Sequence, residues 1–148
     1  MLLKSAAKNG AIYSSVKLSI KALLLVFSSL ISLFLPEGIL DYFDIIGFER
    51  TNSNLKTYDK RLTIFLTEKK LIPEQYKEVA YKASGFMEPR IIEDYPIRNM
   101  LVSLSVKRRR WDVTINDQVV KVSRDWHTII KQGTRISTEF AAFLKELN

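Results

Sequence analysis

The stretch Met100–Trp111, MLVSLSVKRRRW, alternates apolar and polar residues with a period of two, which is the signature of a β-strand. Val102, Leu104 and Val106 share one face, and Ser103, Ser105, Lys107 and Arg109 share the other. Asn116-Asp117 is a turn signal, and Gln118–Trp126 (QVVKVSRDW) reads as the return strand. Residues 100–126 are therefore predicted to form a β-hairpin whose outgoing strand ends in four consecutive cations. On that strand Lys107, Arg109 and Trp111 point to one side of the sheet, and Arg108 and Arg110 to the other.

The segments before the hairpin are shorter and give weaker signals. Gly38–Phe43 reads as a helical turn, Ile45–Arg50 as a strand and Thr51–Asn54 as a polar turn. Arg61–Thr67 (RLTIFLT) alternates with β-branched and aromatic residues and can pair with Ile45–Arg50 across a long loop. Pro73 opens a helical turn over Glu74–Tyr76. Gly85 and Pro89 break any long element between Tyr81 and Ile92, and Arg90–Asp94 reads as a short strand. After Gly133, the apolar residues Ile136, Phe140, Phe143, Leu144 and Leu147 recur at helical spacing, which predicts an amphipathic helix over 135–147. The expected fold class is α+β: an N-terminal helix, small antiparallel β hairpins and a C-terminal amphipathic helix.

The N-terminal helix is the unusual part. Ala22–Leu35 (ALLLVFSSLISLFL) is a 14-residue, nearly unbroken apolar run, short of the roughly 20 residues that span a bilayer. No small-x-small cleavage site follows it; Pro36-Glu37-Gly38 does. Ser14, Lys17, Lys21, Ser28 and Ser32 fall within about 60° on a helical wheel. That narrow polar stripe fits a mostly buried or partner-packed helix, and the short length of the run favours packing over a membrane segment, so residues 1–33 are expected to be a partner-packing leader or the product of a start placed too early. Residues before about Val16 are expected to form a loose tail. Residues 34–148 are expected to form the domain proper.

Charge is distributed unevenly along the chain. The net charge is +7, and residues 1–35 hold Lys4, Lys8, Lys17 and Lys21 with no acid. Residues 98–135 hold nine basic and three acidic side chains, an excess of +6. Such a basic stretch attracts polyanions by displacing their counterions.

Most catalytic and metal chemistry finds no residues to support it. One histidine, His127, and no cysteine cannot build a structural zinc site. No serine sits in a Gly-x-Ser-x-Gly turn, and the five glycines lack the spacing of a phosphate loop. Glu93-Asp94 is the adjacent acidic pair next to Pro96 and reads more readily as a turn than as an acid/base couple. His127 reads as a partly exposed residue at a strand end. What remains is Lys107-Arg108-Arg109-Arg110 with Trp111, extended by Arg124, Lys131 and Arg135. Arginine grips phosphate with two donors, and tryptophan can stack on a base or pack in a core. The bland alternative is a solvated sheet edge guarded by charge.

Three segments in the same order carry a resemblance: FLPEGILDYFDI (Phe34–Ile45), IEDYPIRNMLVSLSVKRRRW (Ile92–Trp111) and SRDWHTIIKQGTRISTEFAAFLKEL (Ser123–Leu147). Together they resemble the N-terminal region of insertion-sequence DDE transposases, notably of Bacteroidetes, over residues 34–147. In the wider family a zinc-ribbon-like hairpin pinned by cysteines precedes DNA-binding helices and a DDE catalytic domain. This chain has no cysteine, so the resemblance implies a metal-free hairpin standing on its apolar core. It further implies a cytoplasmic, non-catalytic part of a mobile element, with no catalytic residue and no cofactor of its own. Its expected role is to bind transposon-end DNA for transposition and recombination, beside a separately encoded catalytic subunit and in a possible homo-oligomer. The DNA contacts would fall on Lys107, Arg108, Arg109, Arg110, Trp111, Arg124, Lys131 and Arg135. A protein-interaction module without DNA contact and a small membrane-anchored protein are the rival readings.

Overall fold

The computed structural model describes residues 20–147. Lys4, Lys8, Lys17 and Ser14 of the leader, and the tail before Val16, lie outside the described residues. The chain divides after Leu35 into two units. In the first, residues 20–32 form helix α1. The second, from Pro36 onward, carries all the strands among the described residues.

The second unit opens with a one-turn helix, α2 (Ile39–Tyr42), behind Gly38, whose positive φ of 73° is readily adopted by glycine. Strands β1 (Phe43–Asn52) and β2 (Lys60–Glu68) pair antiparallel, as the alternation of Arg61–Thr67 predicts. The helical turn at Glu74–Tyr76 also forms, behind Pro73. Strand β3 (Tyr81–Phe86) follows, then β4 (Arg90–Ile97), β5 (Met100–Lys107), β6 (Arg109–Ile115), β7 (Gln118–Val122) and helix α3 (Thr138–Glu146). The architecture is α+β: two sheets, with the orders β1-β2-β5-β4 and β3-β6-β7.

Two features differ from the expected hairpins. The alternating ribbon 100–115 is not one arm of a hairpin; it breaks at Arg108 and crosses from one sheet to the other. The hairpin is β6–β7, closed at Asn116-Asp117, where both residues have positive φ as a two-residue turn demands. The outgoing arm thus begins at Arg109 rather than Met100. The second feature is parallel pairing of β5 with β2, Met100 opposite Lys60 through Lys107 opposite Thr67. This makes β5 an interior strand, with β4 antiparallel on its other side. Its serine face is also covered: Ser103 and Ser105 are buried along with Val102, Leu104 and Val106. Ser103 Oγ donates to Glu93 Oε2 at 3.1 Å and accepts from Arg61, which also grips the Glu93 carboxylate at 2.8 Å.

The acidic pair Glu93-Asp94 lies in β4, not in a turn. Residues 135–137 run along the free edge of β4. Glu93 N–H donates to the Arg135 carbonyl at 2.7 Å, and Ser137 N–H donates to the Glu93 carbonyl at 3.0 Å. These bonds hold Arg135–Ser137 extended, so α3 starts at Thr138 rather than at 135. Ser137 is the N-cap, accepting from Phe140 N–H at 3.2 Å while its own hydroxyl donates to buried Asp94 at 2.6 Å. Tyr95 meets the rings of Phe140 and Phe143 at 5.1 and 5.4 Å, which seats the predicted apolar face.

Burial raises the Asp94 pKa against the pull of the Ser137 hydroxyl and the Tyr95 backbone N–H, and Glu139 pushes the same way. A carboxyl with a raised folded-state pKa holds its proton more tightly folded than unfolded. Its contribution to stability is therefore greatest below the ordinary value of 3.8 and shrinks as pH rises through the raised one. Asp94→Asn keeps an acceptor for Ser137, so it is expected to lose more stability at about pH 3 than at about pH 7 in urea unfolding. An equal loss at both pH values would show that this carboxyl titrates alike in the folded and unfolded chain.

Candidate nucleic-acid interface

The break at Arg108 creates the site. The two segments that pass from one sheet to the other, Phe86–Arg90 and Val106–Arg109, run side by side and are tied by a 2.8 Å bond from Met87 N–H to the Arg108 carbonyl. The loop after β7 comes back past this junction. Between them lies an open groove of about 370 Å³ that Arg90, Arg108, Arg124, Lys131 and His127 help to line, with Asp125 at its side. Four fixed cations thus face one carboxylate across a single concavity.

The cations are not equivalent. Arg124 is held by the fold: its Nη2 donates to the carbonyls of Leu71 and Ile72 at 3.1 and 3.3 Å, and its guanidinium lies 4.5 Å over the Tyr42 ring. Its Nε sits 3.7 Å from Glu68 Oε1, an ion pair too long for a hydrogen bond. Arg90 donates to the Thr134 carbonyl at 2.5 Å, which pins the 131–135 loop against β4. Lys131 is exposed, and the buried Nε of Arg108 has no hydrogen-bond partner. His127 is exposed, with Nε2 2.9 Å from Asp125 Oδ2, in the turn beyond β7 rather than at its end.

The predicted set of contact residues therefore splits. Arg108, Arg124 and Lys131 converge on the groove. Arg109 turns away to Glu68, donating its backbone N–H to Oε2 at 2.8 Å and Nη2 to the carbonyl at 3.2 Å. Lys107 and Arg109 both lie over the Phe86 ring, at 5.2 and 4.3 Å. Arg110 is exposed on β6, and Arg135 is exposed with its carbonyl bonded to Glu93. Trp111 takes the packing role, not the stacking one: it is 1% exposed, clustered with Ile72 and Val113, with Tyr81 edge-on at 5.8 Å.

Sequence reasoning missed two residues. Glu68 is 1% exposed and lies beneath Arg109 and Arg124. Burial raises its pKa, while the Arg109 N–H and the charges of Arg124, Arg109 and Arg108 pull it down. Arg90 enters the groove because β4 pairs it with Val106, beside the break. Neither residue carries a local signal, since each owes its place to a strand distant in sequence. Among the described residues, no group of three or more acids or histidines could hold a metal ion. No helix among them is long and apolar enough to cross a membrane.

Comparison with known protein families, with curated proteins and with solved structures returns no match.

Proposed function

We propose that this chain is the non-catalytic N-terminal part of an insertion-sequence transposase, binding transposon-end DNA for a separately encoded DDE catalytic part. The observation that carries the reading is the groove in which Arg90, Arg108 and Lys131 meet from three separate segments. Arginine suits phosphate because its planar fork offers paired donors and stays charged at every relevant pH. A concave cationic surface also concentrates the field that steers a polyanion. The resemblance of Phe34–Ile45, Ile92–Trp111 and Ser123–Leu147 to transposase N-terminal regions supplies the biological context: a mobile element acting in the cytoplasm. In this reading the catalytic acids belong to the partner, and this chain supplies positioning on DNA.

Acetylation of lysines with and without an end-repeat duplex tests the assignment. Lys131 is expected to be protected by the duplex, read by mass spectrometry. Lys56 and Lys60, in and beside the β1–β2 loop, lie at the far end of the sheet and are expected to stay reactive. Protection of Lys56 and Lys60 without Lys131 would move the interface off the groove.

One observation favours the second reading, a module that docks on the catalytic part without DNA. Phe143 and Leu147 of the C-terminal segment are 40% and 67% exposed. Capture of the catalytic part that survives high salt, with no shift of DNA, would select that reading.

A further inference from the structure

Helix α1 exposes a broad apolar face. Leu23, Leu24, Leu25 and Val26 are 56–69% exposed, and Ile20, Phe27 and Leu30 are each about half exposed. At 100° per residue, Ile20, Leu23, Leu24, Val26, Phe27 and Leu30 fall within about 160° of the wheel, and Leu25 lies on the other side. Lys21, Ser28, Ser29 and Ser32 occupy that other side, within about 100°. An apolar face with a polar strip opposite it suits a bilayer boundary, where acyl chains take the face and water the strip.

Charge points the same way. The first 35 residues carry four lysines and no acid. A cationic, acid-free segment beside an apolar helix matches the negative surface of an anionic bilayer. Length sets the depth. The helical residues described, 20–32, extend about 20 Å, and the whole apolar run Ala22–Leu35 would reach only about 21 Å if helical throughout, against a hydrocarbon core of about 30 Å. It cannot cross, but it can lie in the headgroup–acyl boundary with its serines toward water and its lysines on the phosphates. The run is too short to be an anchor that spans; an interfacial helix has no such minimum.

We infer that the leader helix docks on anionic lipid surfaces as an interfacial element, independently of any nucleic-acid contact by the groove. The test is flotation of the full chain with vesicles of phosphatidylcholine alone, or with one third phosphatidylglycerol. The chain is expected to float with the anionic vesicles and to partition about fivefold less for each leader lysine changed to serine. Leu24→Asp with Leu25→Asp is expected to weaken flotation about a hundredfold or more, with far-ultraviolet circular dichroism and DNA binding unchanged.

Absence of flotation with anionic vesicles would overturn the inference. So would flotation that survives the double aspartate change, because the basic groove would then be the lipid-binding surface. A third contrary result is an oligomer, seen by sedimentation, that the same change dissolves in a chain that never floats. That would assign the helix to protein–protein packing.

Discussion

Replacing Arg90, Arg108 and Lys131 together by alanine is expected to weaken binding of duplex DNA by about a hundredfold at moderate salt. Each side chain removed takes away about 1 kcal/mol of phosphate binding, in line with charge-assisted hydrogen bonds that are partly solvated. The salt dependence is the sharper readout. Each phosphate partner removed lowers the slope of log affinity against log salt by about 0.9, so the triple variant is expected to fall about 2.7 below the wild-type slope. Arg90 also bonds the Thr134 carbonyl, so circular dichroism of each single variant should show that the fold persists. Changing the exposed Lys107, Arg110 and Arg135 instead, the same number of charges, should lower affinity less, because none of them lines the groove. An equal effect from the two sets would mean that binding follows total charge and not this concavity.

The second large effect belongs to Glu68. Its carboxylate accepts the Arg109 backbone N–H and sits beneath the guanidinium of Arg124, in an environment almost closed to water. Removing one partner of a buried ionic cluster leaves the other charges without compensation, which costs about 3–5 kcal/mol. Glu68→Ala is therefore expected to destabilise the chain by about that amount in urea unfolding. Glu68→Gln keeps an acceptor for the Arg109 N–H and should lose less than half as much. Since Arg124 lines the groove, folded Glu68→Gln protein should bind DNA at least as tightly as the wild type, because one opposing charge is gone. Loss of DNA affinity by a folded Glu68→Gln variant would show that the carboxylate is needed to aim Arg124.

The local elements were legible where one stretch of sequence contains the whole cause. The alternation of Met100–Val106 makes a strand on its own, Asn116-Asp117 tolerate the positive φ of a tight turn, and Pro73 opens its helical turn. What the alternation does not encode is which strand lies alongside. The apolar positions are even-numbered before Arg108 (Val102, Leu104, Val106) and odd-numbered after it (Trp111, Val113, Ile115), so the alternation changes phase there, but the partners that flank each half are distant in sequence. β2 and β4 flank β5, while β3 and β7 flank β6. For the same reason the parallel pairing with β2, and with it the burial of Ser103 and Ser105, could not be read from β5 alone.

The candidate site was half legible by the same logic. A basic run marks where charge is concentrated, but it does not say which charges the fold keeps for itself. Arg109 is drawn away by Glu68, a carboxylate 41 residues before it, and Arg124 lines the groove while also facing that carboxylate, whereas Arg108 and Lys131 stay with the groove. Trp111 follows from its strand partners: on β6 it shares a face with Val113, and that face is the core of the smaller sheet.

The most direct measurement is a titration of the chain, residues 34–148, against the element's own terminal repeats and a scrambled duplex at two salt concentrations. Tighter binding to the terminal repeats is expected, with an affinity that falls steeply as salt rises. Equal affinity for both duplexes, or no binding to either, would contradict an end-recognition role for this chain.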